Sequence, residues 1–185
     1  MILRVSVFLG WAFIASADFE EAGTAARPWG MANAYTALAM DHLALSYNPA
    51  GLSVLELPEG GAGYNRLWTG LTDQSNLGNG HVAFAMPLRA ISPAVPGGVG
   101  FNYLNTYLAG AYAEQTISLG YGLEVDRGIS IGAAFKYLIA SVTVDAYLAS
   151  DPLFVKTGQT GGVGADFGVL IRTVPGWNFG LAIVN

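Results

Sequence analysis

Apolar and polar positions alternate with a period of two along the chain from residue 80 onward. Between residues 117 and 125, for example, Ile, Leu, Tyr, Leu and Val alternate with Ser, Gly, Gly and Glu. This alternation predicts β-strands that present two different faces. Together with a weaker first strand, the predicted strands lie at residues 64–68, 82–88, 99–107, 117–125, 129–137, 163–172 and 179–183.

The two faces of these predicted strands differ in side-chain size. One face carries large apolar residues, and the other carries Gly, Ser, Ala and an occasional charged residue. A soluble β-sandwich packs its large apolar face inward and covers the other face with Lys, Glu and Thr. An antiparallel transmembrane β-barrel turns its large residues toward lipid and lines its lumen with the small ones. The pattern therefore favours an all-β barrel, with a secreted soluble β-sandwich binding module as the alternative.

Two tight turns are predicted at Asp126–Gly128 and Pro175–Gly176, where turn-forming residues separate predicted strands. Longer polar stretches at residues 69–80 and 146–162 fall at the opposite end of the strands. Short turns at one end of a sheet and long loops at the other are typical of outer-membrane barrels.

The composition of the 185-residue chain also indicates contact with a membrane. Hydrophobic residues make up 52% of the chain and charged residues 11%, against about 25% charged residues in an average soluble domain. The net charge of −5 and the scattered Lys and Arg residues exclude a nucleic-acid partner. The chain has no Cys, and its two His residues lack ligand-like spacing, so we expect no metal site and no cofactor.

The first 17 residues have the features of a signal peptide. Arg4 supplies the positive charge, residues 5–14 are apolar, and Ala15–Ala17 forms an A-x-A-type cleavage site. We therefore expect export to the cell outer membrane. Elsewhere, no apolar stretch has the length of about 20 residues that a transmembrane helix needs. A membrane-spanning structure must then consist of strands closed into a barrel, because hydrocarbon offers no partner to an unpaired backbone group.

One motif has the form of a catalytic one. Gly128–Gly132 matches the G-x-S-x-G pattern, in which a serine on a sharp strand-to-helix turn acts as the nucleophile. Ser130, however, lies inside a predicted strand, and no His follows it in the chain. We therefore predict no catalytic residues and no enzymatic activity.

Four charged residues fall on the predicted small-residue face, which would point into the barrel lumen. Charges in such a lumen can pair across neighbouring strands, anchor a plug or contact a passing solute. The sequence leaves these roles open and does not identify a solute. By the parity of their strands, the four residues are Glu124, Lys136, Asp166 and Arg172.

Residues 18–55 differ in pattern from the strands that follow them. Residues 32–45 are rich in helix formers, and apolar residues between 31 and 38 recur at helical spacing. Asn48-Pro49 is predicted to end this helix, because a residue before proline is disfavoured in the α conformation. We therefore expect an N-terminal helical hatch at residues 18–55 and the first half of a barrel at residues 56–185.

The hatch region combines the spaced motif Gly23-x-x-x-Arg27-x-x-Gly30-Met31, an Asp at position 41, and the run Tyr47-Asn48-Pro49-Ala50-Gly51-Leu52. Together they resemble the N-terminal signature of FadL-like outer-membrane proteins, in the PorV/PorQ or UPF0164 branch. The resemblance implies a hatch inside a barrel of about 14 strands, so seven predicted strands indicate a C-terminally truncated fragment. The residues that match the hatch signature are Arg27, Gly30, Met31, Asp41, Asn48, Pro49, Ala50 and Gly51.

The resemblance also implies a function without catalysis. FadL transporters pass hydrophobic compounds, whereas PorV-type relatives serve a protein-secretion system. The implied partners are outer-membrane lipid together with hydrophobic small molecules or secretion-system proteins. We therefore expect passive transport of hydrophobic compounds or an accessory role in protein secretion.

Overall fold

The fold is an all-β one built from seven strands. The computed structural model describes residues 23–70, 72, 75–144 and 158–184, so the predicted signal peptide lies outside the described residues. All seven strands predicted from the sequence are confirmed, and most extend beyond the predicted bounds. They are β1 (Glu59–Leu67), β2 (Leu77–Pro87), β3 (Gly98–Leu108), β4 (Tyr112–Asp126), β5 (Ile129–Val142), β6 (Gln159–Val174) and β7 (Trp177–Ile183).

The seven strands form one antiparallel sheet in which each strand pairs with its neighbours in the chain, from β1 at one edge to β7 at the other. The sheet curls into a half-barrel. A sandwich would place two sheets face to face, and the described residues form a single sheet instead. The predicted architecture is therefore confirmed as far as a partial β-barrel.

Two of the connections at one end of the sheet are tight turns, as predicted. Arg127-Gly128 joins β4 to β5, and Pro175-Gly176 joins β6 to β7. Gly128 (φ 73°) and Gly176 (φ 79°) adopt the left-handed conformation that favours glycine in such turns. The third connection at this end carries a short 3₁₀ helix, Leu88–Ala90.

The region before the sheet contains short helices rather than the single helix predicted for residues 32–45. The prediction is wrong because Ala32 (φ 52°) and Asn33 (φ 61°) are left-handed, which interrupts the hydrogen-bond ladder of a right-handed helix. Turns over residues 31–38 follow instead. The helices of this region are α1 (Ala26–Gly30), α2 (Ala44–Tyr47) and a 3₁₀ helix (Pro49–Val54).

Residues 23–55, which we call the hatch segment, pack on one face of the sheet. The 3₁₀ helix at Pro49–Val54 contacts every strand from β2 to β6, so the sheet curls around it and this face is concave. A second core lies within the hatch segment, around Tyr35, Ala39 and Leu43. The core that joins the hatch segment to the sheet consists of Ala44, Leu45, Leu52, Leu55, Ala85 and Ala134.

The convex face of the sheet carries large apolar side chains that stay exposed. Leu119 in the middle of β4 is 58% exposed, and Phe135 in the middle of β5 is 55% exposed. Small residues alternate with them along both strands and lie on the concave face, as the sequence pattern predicts. Among the described residues, no helix is long and apolar enough to cross a membrane.

Candidate functional site

Four glycines form a row across the concave face. Gly98 in β3 pairs with Gly122 in β4, Gly122 pairs with Gly132 in β5, and Gly132 pairs with Gly168 in β6. A glycine inside a strand has no side chain to pack and marks a place where another backbone comes close. We call these four residues the glycine seat, because the hatch segment lies directly on them.

The hatch segment occupies the space that side chains would fill in the glycine seat, with its backbone at Gly98, Gly122 and Gly132 and with the Asn48 side chain at Gly168. A Cβ atom added to Gly132 would clash with the backbone of Pro49 and Ala50. One added to Gly122 would lie 2.7 Å from the Pro49 oxygen, which is closer than Cβ atoms come to other heavy atoms in folded proteins. The absence of side chains at the seat is therefore what allows the hatch segment to lie this close to the sheet.

Asn48 fastens the hatch segment to the sheet through hydrogen bonds. Its side chain is completely buried, and Nδ2 donates to the carbonyl oxygens of Thr36 and Val169, each at 3.0 Å. Oδ1 accepts from the backbone N–H of Ala50 at 3.1 Å and caps the 3₁₀ helix. Both amide hydrogens of Nδ2 are used, so one side chain links a turn, a helix and strand β6.

The next three residues of the hatch signature complete this junction. Pro49 occupies the first position of the 3₁₀ helix, where the missing backbone N–H needs no partner. Ala50 follows it in the same helix and is fully buried. A Cβ atom on Gly51 would overlap the carbonyl group of Ala39, so only glycine fits at this position.

A serine pair adds a second polar link between the hatch segment and the sheet. Ser53 Oγ lies 2.8 Å from the Ala50 oxygen and 2.7 Å from Ser130 Oγ. Ser53 Oγ is placed to donate to either of these oxygens, and its single hydrogen serves one of them at a time. Ser130, the serine of the G-x-S-x-G pattern, is fully buried and contacts the hatch segment through Ser53.

Arg27 and Asp41, two further predicted hatch residues, both contact Tyr35. The Tyr35 hydroxyl donates to Asp41 Oδ2, and Asp41 Oδ1 accepts from the Leu43 N–H at 3.0 Å. The Arg27 guanidinium lies 3.4 Å from Asp41 Oδ2 and 5.2 Å from the centre of the Tyr35 ring. Burial, and then the hydrogen bond to Asp41, raise the pKa of Tyr35 well above its usual value. This cluster ties α1 to the start of α2.

Gly30 and Met31 do not take part in these contacts. Both residues are exposed, and a Cβ atom on Gly30 would meet no atom within 4 Å. Both were predicted as hatch residues from the resemblance alone. In this structure they have no packing role.

The four predicted lumen charges form two pairs. Lys136 Nζ lies 2.9 Å from Asp166 Oδ2, and both side chains are buried on the concave face. Arg172 Nη2 lies 3.8 Å from Glu124 Oε1 in a more exposed position near the β4–β5 turn, where Glu124 also accepts from the Gly128 N–H. Pairing across strands, one of the roles that the sequence left open, is thus present in the structure.

The glycine seat and the bond from Asn48 to β6 were not predicted from the sequence. A glycine near the same end of each of four successive strands was the available signal. This signal can be interpreted only when the strand register is known, because the register aligns residues as far apart in the chain as Gly98 and Gly168. The described residues contain no group of three or more His, Asp or Glu side chains placed to hold a metal ion.

Comparisons of the chain with protein-family models, with curated protein sequences and with solved structures found no match. The class is therefore defined by the structure itself: an all-β chain with seven antiparallel strands in a curled half-barrel sheet. Its particular feature is an N-terminal segment held on the concave face by a glycine row and by Asn48.

Proposed function

We propose that the chain forms part of a FadL-like β-barrel of the cell outer membrane that passes hydrophobic compounds without catalysis. The observation that carries this proposal is the contrast between the two faces of the sheet. The convex face exposes large apolar side chains, while the concave face is small, polar in places and covered by the hatch segment. Lipid on one side and a plugged lumen on the other account for both faces.

The apolar convex face extends across the whole sheet. Contiguous apolar patches larger than a few hundred Å² are rare on soluble monomers. Here exposed large apolar residues occur on all seven strands, with two or more on β2 and on each strand from β4 to β7. Those of strands β2 to β7 include Val82, Phe84, Phe101, Leu119, Ile131, Phe135, Val163, Phe167, Leu181 and Ile183.

Aromatic side chains lie at both ends of the strands. Tyr64 and Tyr107 stack at 6.5 Å between ring centres near the loop end, where Trp68 is also exposed. Trp177 and Phe179 stack at 6.3 Å near the opposite, tight-turn end. Aromatic residues at both borders of an apolar band are typical of proteins at membrane interfaces.

A depression on the convex face, the side that the proposal turns toward lipid, gives a hydrophobic compound a place to bind. It has a volume of about 430 Å³, within the range of small-molecule sites. It forms because Ala133 stands between the larger Tyr121 and Phe167 in one register row. Large apolar residues of β4 to β7, such as Leu123 and Leu181, complete its lining.

Arginine on the convex face tests membrane insertion. We expect Leu119→Arg to destabilise the membrane-inserted chain by about 2–4 kcal/mol, because this residue would lie near the bilayer midplane. Val125→Arg is the matched control, since it lies on the same face of β4, is also about half exposed, and is close to the strand end. The same charge near the interface should cost about 0–1 kcal/mol.

The measurement is equilibrium unfolding from lipid vesicles, together with fractionation of cells that produce the full chain. Equal stability of both arginine variants, with recovery in the soluble fraction, would contradict the membrane proposal and favour a soluble secreted module.

Filling the depression tests the proposed cargo. We expect Ala133→Trp to lower uptake of a radiolabelled long-chain fatty acid about threefold, since the indole would occupy much of the site. Ala165→Trp adds the same side chain at an exposed alanine of the same face that does not line the depression. The host should lack its own fatty-acid transporter. Normal uptake with both variants but loss of secreted proteins on deletion would favour the secretion role.

A further inference from the structure

Five side chains where the hatch segment meets β1 and β2 each bury a polar atom that has no hydrogen-bond partner among the described residues. Buried polar atoms without partners are costly and uncommon in folded proteins. Five such atoms at one junction therefore indicate a partner that is not among the described residues. The atoms are Thr24 Oγ1, Trp29 Nε1, Asn65 Nδ2, Asn79 Oδ1 and His81 Nδ1.

Contacts around Gly23 bring three of these residues together. Asn79 Nδ2 donates to the Gly23 carbonyl at 3.1 Å, and Thr24 is the next residue. A Cβ atom on Gly23 would clash with Trp29 Nε1, so the indole N–H lies against this glycine. Gly23 therefore contacts both Asn79 and the indole N–H of Trp29, and Thr24 follows it in the chain.

Strand pairing brings in the other two residues. Asn65 of β1 lies directly opposite Asn79 of β2, and His81 follows Asn79 on the same face. The His81 ring covers Gly63, where a Cβ atom would clash with it. Side chains opposite each other on paired strands are about 5 Å apart at Cβ, so Asn65 and Asn79 lie side by side where the start of the hatch segment meets β1 and β2. We call these five residues the polar cluster.

The chemistry of the polar cluster defines the ligand. Trp29 Nε1 and Asn65 Nδ2 can only donate, and Asn79 Oδ1 can only accept. The hydrogen bond to Gly23 fixes which end of the Asn79 amide faces the cluster. An anion would be repelled by the amide oxygen, and a cation would meet N–H donors. A hydroxyl group both accepts and donates and therefore matches the set.

We propose that the polar cluster binds an uncharged, hydroxyl-bearing ligand, which is either water or the hydroxyl of a small polyol or sugar. A site of this kind needs two to four polar partners around a space of molecular size. The polar cluster supplies such partners from the hatch segment and from two strands. This inference does not depend on the cargo or on membrane insertion.

The test uses Thr24→Val, which removes the hydroxyl and nearly preserves side-chain volume. If a ligand occupies the polar cluster, the variant loses a hydrogen bond, and the thermal unfolding midpoint of the full chain in detergent falls by about 2–4 °C. If the cluster is dry, the variant removes a costly unpaired group and the midpoint rises. Trp29→Phe removes a second unpaired atom and should shift the midpoint in the same direction. Ser53→Ala, which removes a hydroxyl with known partners, calibrates the loss.

Titration with glycerol, inositol and glucose distinguishes the two sources of the hydroxyl. A saturable rise in the midpoint that is absent in Thr24→Val identifies a solute. Equal, unsaturable rises in both proteins reflect general exclusion of osmolytes. If the rises are equal and the unfolding midpoint of Thr24→Val is lower than that of the wild type, the ligand is water. A higher midpoint for both Thr24→Val and Trp29→Phe overturns the proposal.

Discussion

Replacing Gly132 with valine is expected to force the hatch segment off the sheet and to lower the free energy of unfolding by about 4 kcal/mol. A Cβ atom at this position would clash with the backbone of Pro49 and Ala50. Backbone cannot rotate away as a flexible side chain can, so either the strand or the 3₁₀ helix must move. Moving the helix also exposes Leu52 and Leu55, which belong to the shared core.

Gly162→Val is the matched control for this substitution. Gly162 lies on the same concave face, in β6, and a Cβ atom there would meet no atom within 4 Å. Valine is favoured in strands, so this change should leave stability unchanged or raise it slightly. The comparison separates the effect of the clash from the general effect of replacing a strand glycine.

Denaturant unfolding and limited chymotrypsin digestion measure the two parts of this expectation. Tyr35 and Tyr47 are buried or half-buried in the native hatch segment, and cleavage after them reports its release. Rapid cleavage is expected for Gly132→Val and slow cleavage for Gly162→Val. Similar stability and digestion of the two variants would mean that the glycine seat does not hold the hatch segment.

The strands of this protein could be predicted because their signal is local. The alternation from Ile117 to Val125 assigns every residue of that run to one of two faces, and the structure keeps this assignment. The same parity correctly put Lys136 and Asp166 on one face. Their ion pair needed register as well, since the two residues lie diagonally across β5 and β6 rather than directly opposite.

The hatch segment was predicted less well because its conformation is set by distant contacts. Helical spacing of apolar residues between 31 and 38 pointed to a helix, yet Ala32 and Asn33 are left-handed. Leu43 and Tyr35 instead pack in a small core that the connecting turns create. Asn48 bonds to Val169, which is 121 positions away, and no local pattern encodes that contact.

The seat also explains why the Asn48-Pro49-Ala50-Gly51 run matters in this chain. Taken alone, the run ends one helix and begins another. Because the run lies over four aligned glycines, it is the part of the hatch segment that comes closest to the sheet. Close backbone approach and the buried amide of Asn48 are therefore separate sources of attachment, and each can be removed alone.

Asn48→Ala removes the second source of attachment while leaving the glycine seat intact. We expect the free energy of unfolding to fall by about 4 kcal/mol, because three hydrogen bonds are lost and their buried partners are left unpaired. Those partners are the carbonyls of Thr36 and Val169 and the N–H of Ala50. Denaturant unfolding of the full chain measures this loss.

Asn48→Asp distinguishes hydrogen bonding from the filling of space. Aspartate has nearly the same volume and can still accept from the Ala50 N–H, but its carboxylate cannot donate to the two carbonyls. It also places a buried negative charge beside two carbonyl oxygens. Asn48→Asp should therefore be at least as destabilising as Asn48→Ala. If Asn48→Asp is as stable as the wild-type chain, Asn48 holds the hatch segment by its shape alone. The hydrogen bond to β6 then contributes nothing to the attachment.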